Sequence, residues 1–267
     1  GNGVVLVTTK KGAAGKGKLT YDFQYSWQTL ANVPKVLNAE QYIDYMTEGS
    51  ILSRDFLLSN WDGATNTSWT DVAFETSTMQ KHNVAFTNGN EQGNYYLSLS
   101  YLDNDGIVKG DADTYKRLTA TVNGEYQIKP WLKVGSTNQL EKYDMRTVAE
   151  GNEYGSLLAS VLLMDPLTPD VYAPNNLPMN MLAALNNGQP LLKDGKGNYY
   201  SVSPFFTGEF GQPLIMRDNN VTKSGGFNVT GSLYGDFKPV KGLVITSRLG
   251  YRLSGTRTST VSLPSYN

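Results

Sequence analysis

At 267 residues, with 39% hydrophobic side chains and a formal charge of -1, the chain carries no basic field to attract nucleic acid and no acidic tail. It has no cysteine, which excludes thiolate catalysis, disulfide scaffolds and cysteine-based zinc sites, and its one histidine, His82, limits catalysis and metal binding further. No run approaches the roughly 20 apolar residues of a membrane-spanning helix, so no helical span is expected.

Seventeen tyrosines against nine phenylalanines suit a β protein with a half-wet surface, where a phenol buries its ring and keeps its hydroxyl hydrated. The start at Gly1-Asn2-Gly3, with neither an initiator methionine nor a signal peptide, and the end in polar sequence at Asn267 suggest a fragment. In chain order, Val4 to Val7 form an apolar strand, and Lys10 to Gly17 form a Gly/Lys-rich joint. Leu19, Tyr21, Phe23, Tyr25 and Trp27 then alternate with polar residues, as in a strand between two unlike media.

Residues of about 30–80 read as a long excursion with one clear helix. Asn38 caps it, Gln41 completes the capping box, Tyr42, Tyr45 and Met46 line its packed face, and Gly49 stops it. A further helical turn is expected near Asp71 to Phe74. Strand grammar returns with Val84 and Phe86, turns at Asn88-Gly89-Asn90, and continues through Tyr95, Leu97, Leu99 and Tyr101. After a connection of about 103–114, Leu118 to Ile128 form the next strand, and a tight Lys129-Pro130 turn leads into Leu132 and Val134. Residues 145–225 have no sustained period of either kind, a length that in a compact domain points to a functional loop. Phe227 to Phe237 and Leu243 to Leu253 form a last hairpin, whose Lys238-Pro239 turn repeats the Lys129-Pro130 one.

The connections thus run long, short, longish, short, very long, short. Outer-membrane barrels have strands of roughly 9–11 residues, alternating apolar-out and polar-in, with short turns at one rim and long loops at the other. If Leu19 starts at the periplasmic side, every long loop falls outside. A β-sandwich has no reason to obey that parity. The predicted fold is therefore all-β: an antiparallel up-and-down sheet forming an incomplete section of a transmembrane barrel, with short helices in its external loops. The alternative is a soluble β-sandwich carbohydrate-binding module. The two differ in whether the faces carrying Leu19 and Phe23, Leu97 and Leu99, and Leu243 and Ile245 look outward or are enclosed by a second sheet.

No catalytic, cofactor or metal site is expected. Asp103-Asn104-Asp105-Gly106 resembles a calcium loop, but it lacks flanking helices and a terminal bidentate Glu, which favours a solvated loop. His82 has no Cys or second His beside it, nothing gathers Glu150 and Glu153 around a pocket, and Lys10, Lys11, Lys16 and Lys18 read as a hydrated hinge. The loop aromatics Trp61, Trp69, Tyr172, Tyr199, Tyr200, Phe205 and Phe206 are candidates for stacking on a ligand or partner, or for packing the loops together.

Asn2-Gly3-Val4-Val5-Leu6-Val7-Thr8-Thr9-Lys10-Lys11-Gly12 resembles the end of the plug in SusC/RagA-like TonB-dependent outer-membrane transporters. Asn38-Ala39-Glu40-Gln41-Tyr42 is similar to a helix in that family's first external loop, and Asn94 to Tyr101, Asp105 to Gly110 and Pro166 to Tyr172 resemble later segments. The stretch from Tyr172 to Asp194 is longer than the family's usual spacing. The resemblance implies residues 1–9 as the last plug strand, 10–17 as the plug-to-barrel linker, and 18–267 as roughly the first seven strands of a barrel. It further implies residence in the outer membrane of a Gram-negative cell, in contact with its lipid. A SusD-like surface lipoprotein would lid the barrel, TonB would act through an upstream segment, and a glycan or peptide would be imported without covalent chemistry.

Overall fold

The computed structural model describes residues 12, 15–148, 156–205 and 211–265; the expected plug strand, Lys10, Lys11, Glu150, Glu153 and Phe206 lie outside them. The chain runs β1 (Gly15–Gln28), α1 (Ala39–Glu48), α2 (Arg54–Asn60), α3 (Trp69–Ala73), β2 (Ser77–Gly89), β3 (Gly93–Asn104), β4 (Tyr115–Lys129) and β5 (Leu132–Thr147). It continues with α4 (Leu157–Leu163), β6 (Val171–Tyr172), α5 (Met179–Asn186), β7 (Tyr199–Tyr200), α6 (Pro213–Asn219), β8 (Asn220–Phe237) and β9 (Ile245–Ser262).

Seven strands form one antiparallel sheet in the order β1-β2-β3-β4-β5-β8-β9; β6 and β7 pair separately. Residues 90–92, 130–131 and 238–244 make the turns at one end, and residues 29–76, 105–114 and 148–219 connect the strands at the other. The sheet is open, and its apolar face is uncovered. Exposure is 69% at Leu19, 55% at Phe23, 41% at Leu97, 52% at Leu99, 47% at Leu243 and 51% at Ile245. A sandwich would have buried these side chains against a second sheet, whereas an incomplete barrel wall leaves them facing out.

The apolar band crosses the sheet obliquely. Followed from partner to partner, Phe23 leads through His82, Tyr101, Leu118, Lys142 and Phe227 to Gly255. Phe23 is the middle of the apolar run in β1, but the middle of the run in β9 is Leu249, six residues short of Gly255. A drift of about 20 Å along the strands over about 29 Å across them is a tilt of roughly 35°, the inclination of strands in a barrel wall.

The buried core lies in the long connections. Ala39, Ile43 and Met46 of α1 pack with Leu57, Leu167 and Phe205. Trp69 and Ala73 of α3 pack with Val108, Val148, Leu157 and Val161, while Leu214 and Ile215 of α6 pack with Tyr200. The capping box forms as expected, with Asn38 and Gln41 each accepting from the other's backbone N–H. One detail of α1 differs from expectation. Ile43 rather than Tyr45 faces the core, because Ala39, Ile43 and Met46 make the stripe that meets Leu57 and Phe205 and Tyr45 points to solvent. The helix ends at Glu48 with Gly49 as its C-cap, as expected; Gly49 stays helical at a φ of -71°, and the next residue, Ser50, takes the left-handed φ of 55°. Ser50 N–H then donates to Thr47 O and Ile51 N–H to Met46 O, closing a Schellman motif.

Candidate functional site

Two surfaces could meet a ligand: the polar face of the sheet and the platform of long connections above it. On the polar face, Glu125 of β4 accepts from Asn94 at 3.1 Å on one side and from Tyr234 at 2.8 Å on the other, and pairs with Lys133 at 3.4 Å. Arg248 of β9 lies over the Tyr234 ring at 4.8 Å, so one polar cluster spans β3 to β9. Tyr234 can reach so far because its cross-strand partner is Gly135, where a Cβ would occupy the space of the ring. These residues are part of ordinary strand alternation, and the sequence distinguishes them only by a Gly opposite a Tyr.

The platform is held by Asp165, which is fully buried. Its carboxylate accepts from Ser203 Oγ at 2.5 Å, Thr168 Oγ1 at 3.1 Å and Leu167 N at 2.9 Å. Its carbonyl accepts from Trp69 Nε1 at 2.7 Å, and Thr67 donates to Pro166 O and Thr168 O, so the first and third connections are joined. Burial raises the Asp165 carboxyl above its ordinary range and outweighs those hydrogen bonds. Sequence reasoning missed this residue; the signal present is an Asp that accepts from the backbone N–H two residues on and from a Thr hydroxyl three on, a local Asx-type arrangement.

A second polar knot joins the third connection to the second. Tyr200 donates to Asp218, Arg217 chelates the same carboxylate at 2.6 and 2.8 Å, and Arg217 Nη1 donates to Lys109 O at 3.1 Å. Burial alone would raise Asp218, but the bonds from Arg217 and Tyr200 win and hold it below its usual value, while burial and the Asp218 bond raise Tyr200.

The candidate aromatics are not gathered into one patch. Trp69, Tyr200 and Phe205 are buried, each in a different one of the three clusters. Trp61 is half-buried on the α1 cluster and donates to Thr65 O at 2.8 Å. Tyr172 is half-buried on β6, where burial and then the charge of Asp165 push its hydroxyl up to about 12. Its neighbour across the two-stranded ribbon is Tyr199, whose ring carries Lys193 Nζ at 4.5 Å. Tyr172 and Tyr199 are therefore the pair that the fold brings together with surface to spare.

The other loop carboxylates and His82 have local roles. Asp113 accepts from Ile107 N and Val108 N at 3.0 Å each, and Gly106 turns the second connection at φ 73°. Asp194 accepts from Lys196 N, Asn198 N and Asn198 Nδ2, closing its own turn. His82 sits on the apolar face opposite Phe23, with Nδ1 2.8 Å from Tyr21 Oη. Among the described residues no group of three acidic, His or Cys side chains is placed to hold a metal ion.

No family model matches the chain. Over 134 residues it is 31% identical to the TonB-dependent receptor P3 of Formosa agariphila, covering 50% of this chain and 12% of that protein. Over 125 residues it is 34% identical to the TonB-dependent receptor SusC of Bacteroides thetaiotaomicron, covering 46% of this chain and 12% of that protein. The fold matches a structure of the RagAB peptide importer in the closed-closed state with a TM-score of 0.66 at 19% identity, over 96% of this chain and 30% of that one. The matched stretch thus spans about an eighth of the length of these curated relatives. Over this partial region the sequence is similar to TonB-dependent receptors, SusC among them, and the fold is similar to that of the RagAB importer.

Proposed function

We propose that this chain is a section of the wall, with its external loops, of an outer-membrane importer of bulky nutrients. The observation that carries this reading is a single tilted sheet whose apolar face is uncovered and whose long connections all leave from one end. In this reading the apolar face meets lipid, the polar cluster around Glu125 lines the lumen, and the platform held by Asp165 forms the external vestibule. Residues 1–9 end a plug and 10–17 tether it to the wall.

The imported ligand is an oligosaccharide, with peptide as the competing class, and Tyr172 and Tyr199 offer ring surface for either. Uptake proceeds by binding and by opening of the plug through TonB, without covalent chemistry. A SusD-like lipoprotein lids the vestibule from outside; the support is the two-component name of the RagAB importer, whose fold this chain shares. Fractionation of the intact protein tests the setting: recovery in the outer membrane as a species that migrates differently before and after heating supports it, and recovery as a soluble species overturns it. Growth of a deletion strain on oligosaccharide or on peptide as sole nutrient then separates the two ligand classes.

A further inference from the structure

Where the apolar band ends toward the long connections, the outward face of β4, β5, β8 and β9 becomes basic. Register places Lys116, Asp144, Gly225 and Arg257 side by side in one outward row. Lys142 lies in the row below, beside Leu118 and Phe227, and Arg146 pairs with Lys223 in the row above. These rows frame a groove of about 690 Å³, floored at Gly225 and walled by Phe227, Lys142, Arg146, Lys223 and Arg257.

Five cations thus face Asp144 and Asp103 on the sheet, with Asp218 of the second polar knot also acting on Arg146, and Asp103 is engaged by Lys116 at 3.6 Å. Among the described residues, Lys142, Arg146, Lys223 and Arg257 form no ion pair with a carboxylate. Arg146 also keeps a buried Nε with no hydrogen-bond partner. Basic side chains that merely anchor a wall at the interface would be spread around it. Here the outward positions of β1 to β3, from Leu19 to Trp27, from Thr78 to Phe86 and from Tyr95 to Asp103, hold no lysine or arginine, so the charge is confined to one side of the sheet. Directly below the groove the outward row is Ala120, Leu140, Val229 and Leu253, apolar throughout.

We infer that this groove binds the phosphorylated headgroup of a lipid in the external leaflet, with the acyl chains lying along Phe227, Leu140, Val229 and Leu253. Phosphate supplies the acceptors that the unpaired guanidinium and ammonium groups lack, and the apolar row continues the contact into the hydrocarbon. The inference rests on the outer-membrane reading above.

The test uses the intact receptor in detergent micelles, with bisphosphorylated lipid A as the probe and native mass spectrometry as the readout. Neutralising Lys142→Gln, Lys223→Gln and Arg257→Gln together should weaken binding by roughly tenfold or more, since each removes a charge-assisted bond. Lys238→Gln with Lys241→Gln, at the opposite rim, should leave it unchanged, and dephosphorylated lipid A should bind no better to the wild type than to the triple variant. Equal binding of lipid A by wild type and triple variant overturns the inference, as does displacement of lipid A by an equal concentration of inorganic phosphate. All variants are first checked for outer-membrane recovery and heat-dependent migration. A wild type that fails that check overturns the outer-membrane reading itself, whereas one that passes it and shows no charge-dependent lipid binding overturns only the lipid site.

Discussion

Tyr234 donates its hydroxyl to Glu125 Oε2 at 2.8 Å, lying flat across Gly135 so that β8 is tied to β4 over the strand between them. The same device recurs on the opposite face, where Tyr251 crosses Gly231 to reach Asn138. A tyrosine over a glycine thus satisfies a polar side chain two strands away, on either side of the sheet.

Removing the hydroxyl with Tyr234→Phe leaves Glu125 with Asn94 and Lys133, and should cost about 1 kcal/mol. Gly135→Val fills the space of the ring and should cost more, about 2–3 kcal/mol, through overpacking. Thermal unfolding of the intact protein in detergent, followed by loss of the fast-migrating folded band, ranks the two. A Gly135→Val protein as stable as wild type would mean that the Tyr234 ring does not lie over Gly135.

The assignment of faces is tested by two neighbours on β3. Leu99 points outward from the apolar band and Ser100 to the polar side. Leu99→Arg should cost about 2–4 kcal/mol and deplete the folded membrane fraction, whereas Ser100→Arg should be tolerated. The reverse order in a comparison of membrane yield would invert the faces.

Asp165 gives the platform a pH dependence. Its folded-state pKa is raised by burial, so the native state binds the proton more tightly than the unfolded chain does. The platform is therefore most stable below the ordinary carboxyl range and loses stability as the pH rises from there through the raised value. Asp165→Asn should flatten that slope, while Asp165→Ala strands Ser203, Thr168 and the Leu167 N–H and should cost about 3 kcal/mol. Hydrogen exchange in the connections between about pH 4 and pH 8 reads both effects. An unchanged slope in Asp165→Asn would assign the pH dependence elsewhere.

The ends of α1 should respond in opposite directions. Asn38→Ala removes the capping box and should cost about 1 kcal/mol. Ser50→Gly relieves a left-handed backbone and should gain up to about 1 kcal/mol. Exchange protection of the amides in α1 provides the measurement, and a destabilising Ser50→Gly would contradict the Schellman geometry.

The wall was legible because alternation between Leu19 and Trp27, or between Tyr95 and Tyr101, depends only on two unlike media, and no distant partner is needed to produce it. The connections were harder. Trp69 reads as a ligand-facing ring until Asp165, 96 residues further on, is seen to accept its indole N–H. Tyr45 and Ile43 are both compatible with a helical stripe, and only the arrival of Leu57, Leu167 and Phe205 selects Ile43. The helices α4 to α6 are 7–8 residues long, too short to announce themselves by periodicity, and tertiary packing holds them. Tyr172 and Tyr199 were individually visible, but their adjacency comes from a two-residue ribbon that no local pattern forecasts.

The drift of six residues from Phe23 to Leu249 means that the ladder of backbone partners is not a contour of constant depth. Like the thread of a screw, the sheet changes level as it is crossed. A row of probes placed on register partners would climb toward the end of the long connections between β1 and β9. A scan meant to sample one leaflet has to shift by two residues for every two strands it crosses, which also keeps each probe on the same face.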